Sequence, residues 1–315
     1  MRLLAGDIGG TKTLLRAVDG HGACLLEGRY DSGAYETFAG LLREFMERVD
    51  GPVAAACFAI AGPVQDGRAT VTNVGWEIDG EALAREFSLG RVSLINDFSA
   101  IALGVPLLGE GDVLSLHRGT RDPDAPIGIL GAGTGLGQAI VTRFDGTYQV
   151  IATEGGHGDF APQDEEQTRL FLHLHQVHGH VSWERVSSGM GLVNIFTFLG
   201  GEELTPVEIA ELAEKGDERA GHTFEIFVDA YGAEAGNMAL RVLARGGVYL
   251  AGGIAAKNVE RFTDGRFVEA FLRKGRFREL METIPVDLIT NEEVGLIGAA
   301  EGARRALESR PGGAG

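Results

Sequence analysis

An amide and a carboxylate stand side by side where a short apolar run of the sequence ends, at Asn96 and Asp97. Residues 91–96 read as a buried strand, and residues 97–105 read as a helix that starts at an acidic cap. Ligand sites of α/β sheets lie at the carboxyl ends of strands, and the dipole at a helix N-terminus would keep the Asp97 carboxylate ionised and able to accept a proton. The position alone predicts either a general base or a plain helix cap.

A second group of polar side chains lies in the middle of the chain. Glu154 and His157 stand on a glycine turn after a predicted strand, and such donors and acceptors suit the adjacent hydroxyl groups of a polyol. From its position alone, Glu184 reads as a surface ion pair with Arg185. The histidine-rich stretch at residues 173–180 reads as helix surface and loop rather than a metal site, because no carboxylate or cysteine spacing supports one.

Three glycine turns follow apolar runs, and the backbone N–H groups of such turns can bind phosphate. The first, at residues 6–13, departs from the Walker A motif because Thr11 rather than glycine precedes Lys12. The second, at residues 131–137, lacks the glycine spacing of a dinucleotide fingerprint. The third follows at residues 252–254. Each alone could be a plain tight turn, but the three together predict two strand–turn–strand hairpins and a third turn that clamp a polyphosphate.

The elements around these residues follow from the apolar periodicity. Two three-strand meanders, each opening with an apolar run into a Gly–Thr turn, indicate a weak internal duplication. A long amphipathic helix runs from Phe224 to Val242 and is expected to end at Gly246 and Gly247. Further helices are predicted at residues 35–49, 78–89, 97–105 and 292–307, and the tail at residues 311–315 is expected to be disordered.

The composition is that of a globular protein with an excess of glycine and of acidic groups. The 315 residues, enough for one large domain or two lobes, include 48 glycines and carry a formal net charge of −17. This charge argues against nucleic acid and anionic membranes as partners, so backbone N–H groups, helix N-termini and a metal ion would have to hold a phosphate. The absence of a signal-peptide pattern and of a membrane-length apolar run predicts a cytoplasmic protein.

Taken together and in order, these motifs carry a family resemblance. DIGGTK, GAGTGLG and AGGI resemble the first phosphate, second phosphate and adenosine motifs of the actin-like ATPase superfamily. With INDF, EGGHGDFAP and ERVSSGMGL, nearly the whole chain is similar to the bacterial glucokinase family of hexokinases. The repressor–open reading frame–kinase group has a similar Glu-x-Gly-His turn but also a cysteine-rich zinc loop. This chain has two cysteines, Cys24 and Cys57, and lacks that loop, so no structural zinc is predicted. Both cysteines lie in apolar runs and are expected to be buried.

The resemblance implies a fold as well. It is an α/β, two-lobed actin-like ATPase (ribonuclease H-like) fold, with mixed sheets, flanking helices and an inter-lobe cleft in which catalysis takes place. The small lobe would span residues 1–107 and be rejoined by residues 293–310, and the large lobe would span residues 108–292. Closure of the lobes on the sugar would exclude water.

The resemblance also assigns roles to residues. Asp97 matches the catalytic base, and Asn96, Glu154, His157 and Glu184 match residues that bind the sugar. Asp7 is expected to reach Mg²⁺ through water, whereas Lys12, read as the first residue of an edge strand, is left out of the chemistry. The nucleotide-binding residues would be Gly6, Asp7, Ile8, Gly9, Gly10, Thr11, Gly133, Thr134, Gly135, Gly252 and Gly253.

The implied activity is the ATP-dependent phosphorylation of glucose to glucose 6-phosphate, which feeds glycolysis, with ATP and Mg²⁺ as cofactors. The alternatives are a kinase for mannose, fructose or an N-acetylhexosamine, and a non-catalytic sugar-binding regulator; a polyphosphate donor also stays open. Glucose and ATP are the expected partners in a cytoplasmic homodimer that binds neither nucleic acid nor membrane.

Overall fold

A computed structural model describes residues 1–308 of the chain. The predicted disordered tail and the last two residues of the predicted 293–310 segment lie outside these described residues. The chain divides into two compact units, one made of Met1–Leu108 together with the described residues from Asn291 onward, and the other of Gly109–Thr290.

The helices and strands fall into both units. The strands are β1 (Arg2–Ile8), β2 (Lys12–Asp19), β3 (Cys24–Asp31), β4 (Val53–Ile60), β5 (Val64–Gln65), β6 (Arg68–Val71), β7 (Trp76–Asp79), β8 (Val92–Asn96), β9 (Val113–His117), β10 (Ile127–Ala132), β11 (Leu136–Phe144), β12 (Thr147–Thr153), β13 (Gly247–Ala251) and β14 (Val286–Ile289). The helices are α1 (Phe38–Met46), α2 (Gly80–Glu86), α3 (Asp97–Gly104), α4 (Glu165–His178), α5 (Gly189–Phe198), α6 (Pro206–Glu214), α7 (Glu218–Val242), α8 (Gly253–Lys257), α9 (Val259–Thr263), α10 (Arg266–Leu272), α11 (Arg278–Glu282) and α12 (Val294–Glu308).

The first unit is built on a five-stranded mixed sheet in the order β3-β2-β1-β4-β8. The predicted first meander is confirmed, since β1, β2 and β3 pair antiparallel, while β1, β4 and β8 run parallel. The core on one side of the sheet centres on the buried ring of Phe38, which contacts the rings of Phe58 and Trp76. A small sheet of β5, β6 and β7 adds to this unit.

The second unit has a six-stranded mixed sheet in the order β12-β11-β10-β13-β14-β9. The predicted second meander is confirmed in the antiparallel pairing of β10, β11 and β12, and β10, β13 and β14 are parallel. Helix α7 is mostly buried in this core, where the Tyr231 ring packs against those of Phe227, Phe262 and Phe267. It ends at Val242, and the next residue, Leu243, has left-handed backbone with φ of 50°, so the predicted end at two glycines is wrong.

Some local predictions differ from the structure for identifiable reasons. Helix α1 is shorter than predicted because the Thr37 side chain caps it by accepting a hydrogen bond from the Gly40 N–H. Asp79 is the last residue of β7 and caps α2, so the predicted helix begins too early. Cys57 is buried as expected, but Cys24 is exposed because it begins an edge strand.

Candidate active site

The parallel strands of the first unit bring several predicted site residues to one edge of the sheet. The register pairs Ile8 with Ile60 and Ile60 with Asn96, so the carboxyl ends of β1, β4 and β8 are level. The first glycine turn follows β1, and Asp97 follows β8 directly. This edge is where open parallel sheets place ligands.

Asn96, not Asp97, is the cap of helix α3. Its Oδ1 accepts hydrogen bonds from the N–H groups of Phe98 at 2.9 Å and Ser99 at 3.4 Å, and its Nδ2 donates to the carbonyl of Gly62 at 3.2 Å. The predicted acidic cap is therefore wrong, because the amide one residue earlier takes that position and Asp97 becomes the first residue of α3. With its cap function taken by Asn96, the Asp97 carboxylate is available for other chemistry.

Burial dominates the electrostatics of Asp97. Its Oδ1 accepts a hydrogen bond from the Phe98 N–H at 2.8 Å. Burial nevertheless raises the pKa of Asp97, and hydrogen bonds to the carboxylate only partly oppose it. The expectation that the helix terminus keeps this group ionised thus omitted the larger effect. A raised pKa makes the carboxylate a stronger proton acceptor, as a general base requires.

Asp7 lies close enough to Asp97 for the two charges to interact. Burial and the charge of Asp97 raise the pKa of Asp7 to about 6, and the positive charge of Lys12 opposes them only in part. A Cβ on Gly295, in the first turn of α12, would lie 3.4 Å from Oδ2 of Asp7, so this helix approaches the carboxylate through a glycine. The first unit therefore holds two carboxylates of like charge at one sheet edge.

The first glycine turn is fixed by hydrogen bonds from its neighbours. The Gly9 N–H donates to the carbonyl of Lys12 at 3.0 Å, the hydroxyl of Ser32 donates to the carbonyl of Gly9 at 2.7 Å, and the Ser32 N–H donates to the carbonyl of Thr11 at 3.0 Å. At Gly10 a side chain would meet Asn73. The prediction that Lys12 begins an edge strand is wrong, because β2 lies between β1 and β3.

The second and third glycine turns lie together in the second unit. The parallel pairing of Gly131 with Ala251 places the ends of β10 and β13 side by side. Gly252 has φ of 89° and packs against the backbone of Ala132, which only glycine allows without strain. The second turn is closed by a hydrogen bond of 2.9 Å from the Gly133 N–H to the Gly135 carbonyl.

The three residues of the second unit that are predicted to bind the sugar lie together, with His157 between the other two. Its Nε2 is 3.7 Å from Oε2 of Glu154, and its Nδ1 is 3.8 Å from Oε1 of Glu184. The side chains of Glu154 and His157 are 91% and 60% exposed, whereas that of Glu184 is only 19% exposed. Two open side chains and one nearly enclosed carboxylate therefore form a polar cluster that can accept and donate hydrogen bonds.

Glu184 also connects this cluster to the second glycine turn. Its Oε2 accepts a hydrogen bond from the Leu136 N–H at 3.0 Å and lies where a side chain on Gly135 would have to go. The expected surface ion pair with Arg185 is wrong, because the Arg185 guanidinium instead donates to the sulfur of Met190 at 3.4 Å.

The residues present fit a magnesium–nucleotide complex. Asp7 and Asp97 offer hard oxygen donors whose like charges a cation would offset, and Mg²⁺ commonly binds through one or two carboxylates, phosphate oxygens and water. Within residues 1–308 no group of three or more His, Cys, Asp or Glu side chains could hold a metal ion by itself.

Among the same residues no helix combines the length and the apolar composition of a membrane span.

The chain is similar to several known proteins over nearly its whole length. A family model described as Glucokinase matches residues 4–306. A glucokinase of Nostoc sp. is 42% identical over 338 residues, covering 96% of this chain and 99% of that protein. The crystal structure of a glucokinase from an Antarctic psychrotroph has a TM-score of 0.89 at 30% identity, covering 96% of this chain and 99% of that one. A ROK family glucokinase from Streptomyces griseus, in complex with glucose and AMPPNP, has a TM-score of 0.64 at 22% identity, covering 97% and 100%.

These matches confirm the predicted fold class, an α/β fold of the actin-like ATPase type with mixed sheets and flanking helices. They also confirm the resemblance drawn from the six motifs. By the extent of the family match and the identity to its relatives, the chain belongs to the glucokinase family of enzymes.

Proposed function

We propose that this protein transfers the γ-phosphoryl group of ATP to the 6-hydroxyl of glucose and so forms glucose 6-phosphate for glycolysis. The observation that carries the proposal is the Asp97 carboxylate at the carboxyl end of a parallel strand, with its cap function taken over by Asn96 and its pKa raised by burial. The glycine turns of a nucleotide-binding family accompany it.

Asp97 accepts the proton of the attacking hydroxyl. A carboxylate oxygen that takes the proton as the new phosphorus–oxygen bond forms makes the hydroxyl a better nucleophile, and such catalysis typically contributes about 10²–10⁴ in rate. The amide of Asn96 contributes by holding Asp97 at the first position of α3, where the backbone N–H of Phe98 orients one carboxylate oxygen. Asn96 Nδ2 also remains able to donate to a sugar oxygen with its second hydrogen.

Glu154, His157 and Glu184 hold the remaining hydroxyl groups of the sugar. Ionised carboxylates accept from hydroxyl groups, and a histidine between two of them can donate to the sugar as well as accept from it. The near enclosure of Glu184 makes it the strongest of the three acceptors, because a hydrogen bond to a charged group gains strength where water is scarce.

The glycine turns hold the nucleotide through backbone N–H groups, which suits a chain with a net charge of −17. The proposed nucleotide-binding residues are Gly6 and Ile8 at the end of β1, Gly9, Gly10 and Thr11 in the first turn, and Gly133, Thr134, Gly135, Gly252 and Gly253 in the other two. The N–H groups of Gly9 and Gly133 are bonded within their own turns, so these two glycines would shape the turns rather than donate to phosphate. Mg²⁺, when bound, offsets charge on the phosphate oxygens, and Asp7 is the side chain that would hold it, through water. We further propose that the protein acts in the cytoplasm as a homodimer, on its family resemblance.

A coupled assay of ADP release tests the proposal. We expect turnover that requires glucose, ATP and Mg²⁺ together, and that yields glucose 6-phosphate by mass spectrometry. Mannose, fructose and N-acetylglucosamine replace glucose in parallel, and inorganic polyphosphate replaces ATP. Preferred turnover of another hexose would reassign the substrate. Measurable glucose binding without any ADP release would instead make the protein a sugar-responsive regulator.

A further inference from the structure

A wholly buried carboxylate lies in the second unit, remote in sequence from every residue assigned above. Glu234 is in the middle of α7, and its side chain is 0% exposed. Its Oε1 accepts hydrogen bonds from Gln138 Nε2 at 2.9 Å and from Arg241 Nη1 at 2.6 Å, while its Oε2 accepts from Asn237 Nδ2 at 3.0 Å. The buried charge is thus matched by donors on both of its oxygens.

The network continues to Lys274, which donates from Nζ to the carbonyl of Ala233 at 2.8 Å and to Oδ1 of Asn237 at 2.7 Å. Burial lowers the pKa of Lys274 to about 8. Well-packed apolar side chains often replace buried ionic groups with no loss of stability, so such a network is poorly explained by stability alone. Its directed hydrogen bonds do, however, fix the orientation of each member.

Gln138 is the member of the network that contacts the sugar-binding turn. It lies in β11 and is 3% exposed. Because a carboxylate can only accept, its bond to Glu234 requires that the amide nitrogen of Gln138 face Glu234 and the amide oxygen face the other way. That oxygen points at Gly155, where a Cβ would lie 2.9 Å from the amide carbon of Gln138. The turn therefore packs directly on this amide.

The backbone of Gln138 holds the same turn. Its carbonyl accepts from the hydroxyl of Thr153 at 3.2 Å, and that hydroxyl oxygen accepts from the Gly155 N–H at 3.2 Å. Glu154 and His157 flank Gly155 and its neighbour in this single short turn. A shift of the Gln138 amide would thus shift both side chains that are proposed to bind glucose.

We propose that Gln138, oriented by the buried Glu234, is a positioning residue for the glucose-binding turn at residues 154–157. This inference depends on the proposed function, because it deepens the account of the same sugar site. Neither Gln138 nor Glu234 contacts glucose in this proposal. Their effect on the sugar acts through the position of Glu154 and His157.

Steady-state kinetics of Gln138→Met test the inference, since methionine keeps the length of the side chain but cannot bond to Glu234. We expect the KM for glucose to rise about three- to tenfold, the range that corresponds to one lost hydrogen bond. The KM for ATP should stay within about twofold, because the glycine turns are unchanged. A fold that is merely weakened would lower the active fraction and leave both KM values where they were.

Two further variants make the test decisive. Thr223→Val removes a partly buried hydrogen bond to the Arg219 carbonyl within helix α7. Thr223 is about three turns along this helix from Glu234, so the change should leave the glucose KM unchanged. If Gln138→Met does not fold, Glu234→Gln serves instead, because it keeps the shape while weakening the bonds that orient Gln138. Faster amide hydrogen exchange at residues 154–157 should accompany the rise in KM.

The outcomes separate the two proposals. A wild-type protein that neither binds nor phosphorylates glucose would overturn the proposed function and this inference with it. A wild-type protein that phosphorylates glucose, with a folded Gln138→Met or Glu234→Gln variant whose glucose KM is within twofold of it, would overturn the inference alone. An equal rise in the KM values for glucose and ATP would also overturn it.

Discussion

Replacement of Asp7 by asparagine should make the protein more stable while it impairs catalysis. Burial and the neighbouring Asp97 raise the pKa of Asp7 from 3.8 to about 6. A carboxyl whose pKa is higher in the folded state than in the unfolded chain costs stability once both states are ionised, that is above about pH 6. The difference of about two units corresponds to about 3 kcal/mol, which the neutral amide of Asp7→Asn avoids.

The difference between the folded and unfolded pKa values of Asp7 sets the pH range in which this cost appears. Below the unfolded value of 3.8 both states are protonated and the cost vanishes, and it grows as the pH rises towards 6. Urea unfolding with Mg²⁺ chelated should therefore show Asp7→Asn more stable than the wild type at pH 8, by about 2–3 kcal/mol. At pH 4 that advantage should nearly disappear.

Asp50→Asn, at an exposed carboxyl of the same unit, is the matched control and should change the stability little at either pH. An Asp7→Asn variant that is less stable than the wild type at pH 8 would refute the reasoning, as would an advantage that is equal at both pH values. The variant should also lose most of its kinase activity, because stability gained by neutralising a buried carboxylate of a functional site is commonly offset by lost function.

Three other outcomes are expected. The kcat/KM for glucose should fall as the pH falls through the raised pKa of Asp97, since the base must be ionised. A profile that stays flat down to the ordinary value of 3.8 would contradict this. Glu184→Gln should raise the glucose KM about 10- to 100-fold, the cost of a hydrogen bond to a charged group; an unchanged KM would exclude Glu184 from sugar binding. Gly252→Ala should lower stability by about 1–3 kcal/mol, because alanine is strained at φ of 89°, and it should also raise the ATP KM. An alanine variant as stable as the wild type would show that this backbone conformation is not required.

The features that sequence reasoning predicted well are those determined by neighbouring residues. Both glycine hairpins follow from an apolar run, a short glycine turn and a second apolar run, and the structure has antiparallel pairs at both. The strand before Asn96 likewise needs only its own apolar residues, and β8 ends at that residue. The prediction that this strand is buried is wrong, because β8 lies at the edge of the sheet and is mostly half-buried. The structure that such a pattern predicts depends on about ten consecutive residues, so contacts with distant parts of the chain seldom override it.

The features that it missed depend on residues far apart in the chain. Either Asn96 or Asp97 can cap a helix, and the Gly62 carbonyl favours Asn96, because it accepts a hydrogen bond from the Asn96 side-chain amide. The partner of Glu184 is the N–H of Leu136 rather than the adjacent Arg185. At Glu234 the small apolar residues on both sides were the only local sign of burial, and its donors include Gln138 in another element.

Asp97→Asn tests the central claim most directly. The asparagine keeps the shape of the side chain and its bond from the Phe98 N–H but cannot take a proton at neutral pH. We predict that glucose-dependent ADP release falls by about 10²-fold or more, while calorimetry gives a glucose Kd within about threefold of the wild type. A variant that retains a tenth or more of the wild-type turnover, or one that loses glucose binding together with turnover, would contradict the assignment of Asp97 as the base.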